Sequence, residues 1–206
     1  MLARNVDYLK ALAGEIRGSG ATALDLSCDV SNSAQITEAF RVIRKDLGEP
    51  EVFLYNAGSG TFGTITEITP EQYEADWRVN AFGAFVAARE VARRMIAHGR
   101  GTISSQGRRQ ALRLGRNRSR LDPRSSRCAA WRNHSLATLV REVSTWRGST
   151  SMAASTSRGP RGLKPSLKDG DFLKLDAIAE TYWHLAHQDA SAWTMELEVR
   201  PFKEKF

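Results

Sequence analysis

The chain has 206 residues, 41% hydrophobic and 26% charged, enough for one ordinary domain with a proper core. It has no leader-like start and no apolar run near the roughly 18–20 residues of a membrane helix, so no membrane partner is expected. Net charge is +7, yet residues 104–161 hold 13 Arg, no Lys, Asp122 and Glu142, so that segment carries +11 and the remainder −4.

Asn5 is a reasonable N-cap for a helix over 5–18, with Leu9, Leu12, Ala13 and Ile16 at helical spacing and Gly18-Ser19-Gly20 as its stop. Residues 21–28 alternate partly and read as a strand. Asn32 caps a second helix, with Gln35 in capping-box position and an apolar stripe of Ile36, Phe40, Ile43 and Leu47. Gly48-Glu49-Pro50 ends it. Glu51–Tyr55 is a short apolar strand, followed by a loop from Asn56 to Ile68. Thr69-Pro70-Glu71-Gln72 starts a helix that runs towards His98, and Gly99-Arg100-Gly101 stops it. A strand opens at Gly101-Thr102-Ile103. This alternation predicts an α/β fold with a parallel sheet and crossover helices.

From Ser104 to Arg161 the pattern dissolves into 13 Arg and 11 Ser. That composition predicts irregular, disordered chain, with Leu136–Val143 alone able to form a short helix or strand. Order resumes at Leu163, with a helix over Asp176–Leu185 and a strand over Trp193–Val199. The prediction is one partial domain over 1–206, interrupted by the aberrant segment 104–161. The two thiols, Cys28 and Cys128, fit neither a metal spacing nor a disulfide framework and suit a reducing, cytoplasmic setting. His98, His134, His184 and His187 are not at metal-binding spacing either.

Asn56-Ala57-Gly58 is the most informative stretch. A buried strand ending in a small polar turn is where an open α/β sheet holds its ligand. Asn80, in a helix of mostly apolar and Arg residues, is a second inward-facing polar candidate. Together with Cys28-Asp29-Val30, Arg78-Val79-Asn80-Ala81-Phe82-Gly83, Gly99-Arg100-Gly101-Thr102-Ile103 and the tail Trp193–Pro201, this stretch resembles the short-chain dehydrogenase/reductase family over about residues 2–103 and 162–206.

The resemblance implies a Rossmann-like doubly wound parallel sheet and hydride exchange between a nicotinamide cofactor and a small carbonyl or alcohol. It implies that Arg4 lies near the adenosine ribose, which favours NADP over NAD, and that Asp29 and Val30 frame the adenine. Asp29 alone also fits an Asp turn before the next helix, and Arg4 a solvated surface charge. Asn56, Ala57 and Gly58 would pass under the ribose and nicotinamide. Asn80 would hold a water and orient the catalytic lysine. The family suggests a homo-oligomer, and a further alternative is a non-catalytic remnant of the family that dimerises through the helix at Arg78–Met95. Phe62, Tyr182 and Trp183 hint at an apolar substrate pocket. Nucleic-acid binding through the basic segment is the lesser alternative, because only Trp131 and Trp146 interleave its arginines.

The chain departs from the family where the chemistry sits. Met1-Leu2-Ala3 reads as the end of a second strand, so the Gly-rich first strand, about 30 residues of pattern, is expected to be missing. There is no Tyr-x-x-x-Lys. Ser104–Ala111 is what a one-base shift makes of the family's Ile-Phe-Thr-Gly-Ala-Thr-Ala-Ser: ATC TTC ACA GGG GCG ACG GCA AGC becomes TCT TCA CAG GGG CGA CGG CAA GC. The reverse shift over Pro123–Arg147 permits a family-like catalytic helix and strand. Ala111 then holds the place of the catalytic Ser, Leu121 that of the Tyr and Ser125 that of the Lys. These departures predict impaired catalysis and a sheet that cannot run as one ladder.

Overall fold

Local side-chain chemistry decides where the helices begin. The computed structural model describes residues 1–61, 63–107, 146–152, 173–189, 191–194 and 196–199. Its elements run β1 (Leu2–Ala3), α1 (Val6–Gly18), β2 (Leu26–Ser27), α2 (Ser33–Leu47), β3 (Val52–Tyr55), α3 (Pro70–Trp77), a π-helical turn (Arg78–Phe82), α4 (Gly83–His98), β4 (Thr102–Gly107), β5 (Trp146–Met152), α5 (Leu175–Ala186) and β6 (Glu196–Val199). Asn5 caps α1 by accepting from the Tyr8 N–H at 3.0 Å. Asn32 accepts from the N–H groups of Ala34 (3.0 Å) and Gln35 (3.3 Å). Thr69 and Gln72 close the full capping box, at 3.3 and 2.9 Å. Gly99 ends α4 in the left-handed region, φ 64°, where a glycine carries no Cβ penalty.

The strands form two parallel sheets. β1 pairs with β2, Leu2 opposite Leu26. The second sheet has the order β3-β4-β5-β6, with Val52 opposite Thr102, Ile103 opposite Trp146 and Ser149 opposite Glu196. The break between β1 and β3 falls where the resemblance puts the Gly-rich strand. Both sheets nevertheless share one core. Phe40, Ile36, Cys28, Val91, Met95, Tyr55 and Ile103 are buried in it, and Leu2, Leu26 and Phe53 pack against it. α2 and α4 cover this face and are tied by Glu90, which accepts from Thr37 Oγ1 at 3.0 Å and pairs with Arg44 at 3.2 Å. The period of two along β3 sends Phe53 and Tyr55 into this core. Val52 and Leu54 point the other way and remain 52% and 42% exposed.

Several expectations are corrected. The irregular segment is not irregular throughout: β4 continues to Gly107 and Trp146–Met152 is a strand, paired on both sides. Its backbone groups find partners in a parallel ladder, which Ser and Thr tolerate well enough once neighbours stand on either side. Among the described residues the ladder is interrupted between β1 and β3, and its register shifts between Ile103 and Ser105 where β4 meets β5. Leu136–Val143 lies outside the described residues. The strand over 21–28 shrinks to Leu26–Ser27. The single helix from Pro70 to His98 is two helices joined by a π-helical turn. Gln35 does not close a capping box; its Oε1 accepts from the Asp29 N–H at 2.8 Å instead.

Gly83 sits where α4 starts, against Val30 and Tyr55. An added Cβ would collide with the Val30 carbonyl oxygen and lie 2.8 Å from the Tyr55 hydroxyl. Gly83→Ala is expected to destabilise by about 1–3 kcal/mol in urea unfolding, through overpacking. Gly14→Ala on the open side of α1, with nothing within 4 Å, is expected to stabilise by about 0.5–1 kcal/mol. In the same assay Phe40→Ala, at 2% exposure, is expected to cost about 3–5 kcal/mol. Leu54→Ala is expected to cost less than about 1 kcal/mol, because its side chain is half in water already.

Candidate cofactor site

Among the described residues each strand is parallel to the strands it pairs with, and the carboxyl ends of β2 and β3 come together where Gly83 meets Val30 and Tyr55. Arg4 follows β1 and is exposed. Asp29 and Val30 follow β2. Asp29 makes a tight turn: its Oδ1 accepts from the Ser31 N–H at 2.9 Å and from Ser31 Oγ at 2.8 Å. These bonds hold its carboxyl below the ordinary carboxylate range, with a smaller contribution from the nearby Arg4 charge. The Asp turn is thus present, and Arg4 stands close enough to feel it. Val30 presents its carbonyl oxygen to Gly83.

Asn56, Ala57 and Gly58 follow β3. Asn56 and Gly58 are exposed, while Ala57 packs on the core. Asn80 reaches this loop from the π-helical turn. Its Oδ1 accepts from the Ser59 N–H at 3.0 Å and its Nδ2 donates to the Ser59 carbonyl at 2.8 Å. The carboxamide therefore reads the Ser59 backbone in both directions. Ala111, Leu121 and Ser125, the positions of the catalytic Ser, Tyr and Lys, lie outside the described residues, as does Phe62.

Three side chains escaped the sequence reading. Asp76, 8% exposed, accepts from Ser59 Oγ and from the Thr61 N–H, both at 2.6 Å. Tyr55, 5% exposed, donates its hydroxyl to the Val79 carbonyl. Burial, with Cys28 and Asp29 adding to it, pushes that hydroxyl well above the ordinary tyrosine range, so it remains a donor. Burial likewise raises the Cys28 thiol, beside Asp29. The one signal for Asp76 was its place one turn before Asn80, opposite a loop rich in hydroxyls and small residues.

Among the described residues, clefts lie both away from this end and beside it. One, about 260 Å³, lies among Glu49, Glu51, Arg94, His98 and Arg100. Its charges largely satisfy each other: Arg94 pairs with Glu49 at 3.5 Å and Arg100 with Glu51 at 2.6 Å. Another runs along β2 and α2 past Ser27, Asn32 and Gln35, next to the Asp29 turn, whose N–H donates to Gln35 Oε1. Polar groups from several elements converge at the strand ends, those of Asp29, Asn80 and Asp76 among them. Among the described residues no cluster could hold a metal ion and no helix is long and apolar enough to cross a membrane. Trp183, read as an apolar pocket wall, is 68% exposed and stacks on His187 at 3.9 Å.

Comparison with known proteins bears directly on this arrangement. Over 110 residues the chain is 28% identical to a probable tetrahydroxynaphthalene reductase of Zymoseptoria tritici, which covers 52% of this chain and 41% of the reductase. The matched stretch thus amounts to about two-fifths of the curated relatives' length. The fold superposes on a short-chain dehydrogenase from Rhodopseudomonas palustris with a TM-score of 0.72 and 26% identity, covering 98% of this chain and 85% of that one. A metagenomic short-chain oxidoreductase in complex with NADP gives a TM-score of 0.70 at 25% identity, with the same coverage. Residues 1–110, more than half of the chain, match the short chain dehydrogenase family, with the Rossmann-like sheet and the strand-end loops described above, and the chain belongs to that family.

Proposed function

We propose that the chain is the nucleotide-binding frame of an NADP-preferring oxidoreductase, which exchanges hydride with a small carbonyl or alcohol, and that it turns over at most slowly as written. The observation that carries the reading is the convergence at the strand ends. An exposed cation, Arg4, stands beside the Asp29 turn on one sheet, and the small-residue loop Asn56–Gly58 leaves the other. A cation at the adenosine end suits the 2′-phosphate of NADP. Small residues at the other end let the backbone come close to a ribose and a flat ring. When bound, the nicotinamide supplies the hydride; the protein's part is to bind, orient and exclude water. The NADP complex of the metagenomic relative supports the cofactor choice.

The slow turnover follows from the sequence. The general acid/base, the lysine that tunes it and the polarising serine of the resemblance have Leu121, Ser125 and Ala111 in their places. Removing such groups costs orders of magnitude in rate, because proton transfer in the transition state alone contributes about 10²–10⁴-fold.

Nucleotide fluorescence titration tests the reading. NADPH is expected to bind weakly and more tightly than NADH. Arg4→Glu is expected to lower NADPH affinity about tenfold or more while leaving NADH unchanged, the scale of a hydrogen bond to a charged group. A panel of small ketones and aldehydes is expected to consume no NADPH above background. Sustained turnover would overturn the slow-turnover part, and equal affinity for both nucleotides would remove Arg4 from the site.

A further inference from the structure

The loop after β3 is held by a buried polar brace that the family resemblance does not supply. Its anchor points are one helical turn apart. Asp76, at the end of α3, takes Ser59 Oγ and the Thr61 N–H, and Asn80 takes both backbone groups of Ser59. Two elements thus grip one residue through its side chain, its N–H and its carbonyl. The π-helical turn between them sets their relative rotation. In an α-helix the Gly83 N–H would donate to Val79; here it donates to Arg78, five residues back. The Tyr55 hydroxyl donates to the Val79 carbonyl instead. Since Tyr55 is the last residue of β3, the strand, the loop and the helix close into one ring of contacts.

A carboxylate this buried is costly unless donors surround it. Short, charge-assisted hydrogen bonds compensate, and those to Ser59 Oγ and the Thr61 N–H go to the loop. On a surface helix the side chain at 76 could be any polar residue in water. Its burial against Ser59 and Thr61 means that the loop's shape is what the carboxylate stabilises.

We propose that Asp76 is a positioning residue: its carboxylate, acting through Ser59 and Thr61, pre-sets the Asn56–Thr61 loop in the shape that receives the ribose–nicotinamide end of the cofactor. The inference rests on the nucleotide-binding reading above. It adds that affinity at this end comes from a loop already ordered before the nucleotide arrives. Ordering a flexible loop on binding would otherwise be subtracted from the affinity.

Amide hydrogen exchange on the full chain, with and without NADPH, tests this. In the free protein Asp76→Ala is expected to speed exchange over 57–61 by about tenfold, while peptides from Ala84–Met95 keep their rates. Asp76→Asn, which keeps one acceptor, is expected to fall between Ala and the parent. Ser59→Ala, which removes one bond and leaves the helix intact, is expected to move the same amides about threefold and to weaken NADPH binding about as much, with the thermal midpoint unchanged. This variant keeps the test decisive if Asp76→Ala does not fold. Unchanged exchange over 57–61 in Ser59→Ala and Asp76→Asn overturns the proposal. So does faster exchange without any loss of NADPH affinity. Failure of the parent chain to bind any nicotinamide nucleotide instead overturns the functional reading, while the exchange rates of the free protein still decide whether Asp76 sets the loop.

Discussion

The absence of a side chain at position 83 is the constraint on which the rest depends. Gly83 brings the first turn of α4 against the Val30 carbonyl, just past β2, and against the Tyr55 hydroxyl, at the end of β3. These two partners belong to different sheets. No described strand joins those sheets by hydrogen bonds, so the contact at Gly83 and the core beneath α2 and α4 do the joining. The close approach also sets how α4 leaves the π-helical turn. Asn80 then faces the loop after β3, and the loop in turn fixes where Ala57 and Gly58 lie.

Elements whose cause is local were legible in the sequence. The caps at Asn5, Asn32 and Thr69 and the left-handed glycine at 99 need only residues within one turn, and the helices begin and end there. Gln35 shows the limit of such signals. Its spacing from Asn32 is right for a capping box, yet the side chain goes to the Asp29 N–H, a partner supplied by the neighbouring turn. The π-helical turn was not legible, because its widening is stabilised from outside by Tyr55 and Gly83. β5 was hidden for a similar reason. An Arg- and Ser-rich stretch has no periodicity that announces a strand, and its ladder bonds come from β4 and β6.

The candidate site divides along the same line. The strand-end turn at Asn56–Gly58 and the Asp29 turn are short-range features, so residue type and position revealed them. Asn80 was found as an inward polar group, but its partner is the Ser59 backbone, a contact that only the folded loop creates. Asp76 follows Glu71 and Glu74 in a polar helix, where one more carboxylate reads as an ordinary solvated side chain. What sets it apart is burial, and burial is decided by the loop that folds over it. Polar groups that serve tertiary contacts look like surface groups in a sequence, and structure alone separates the two.

On the nucleotide-binding reading proposed above, the interrupted ladder changes what fixes the distance between the two ends of the site. In a continuous sheet that distance is set by strand spacing, about 4.7–4.9 Å per step, through backbone hydrogen bonds that scarcely yield. Here Arg4, Asp29 and Val30 stand on a two-stranded sheet, and the Asn56–Thr61 loop on a four-stranded one. A two-stranded unit has little stability of its own and relies on what it packs against. Leu2 and Leu26 hold it to the common core, and the Gly83 contact holds its exit loop. Side-chain packing is less directional than a ladder, so the end that carries Arg4 and Asp29 is the more compliant. The loop after β3 is the stiffer end, braced by Tyr55, Asp76 and Asn80. It follows that variants in the common core under α2 will be felt first at Arg4 and Asp29, the core residue Cys28 standing next to Asp29. The loop after β3, with its own polar brace, will yield later.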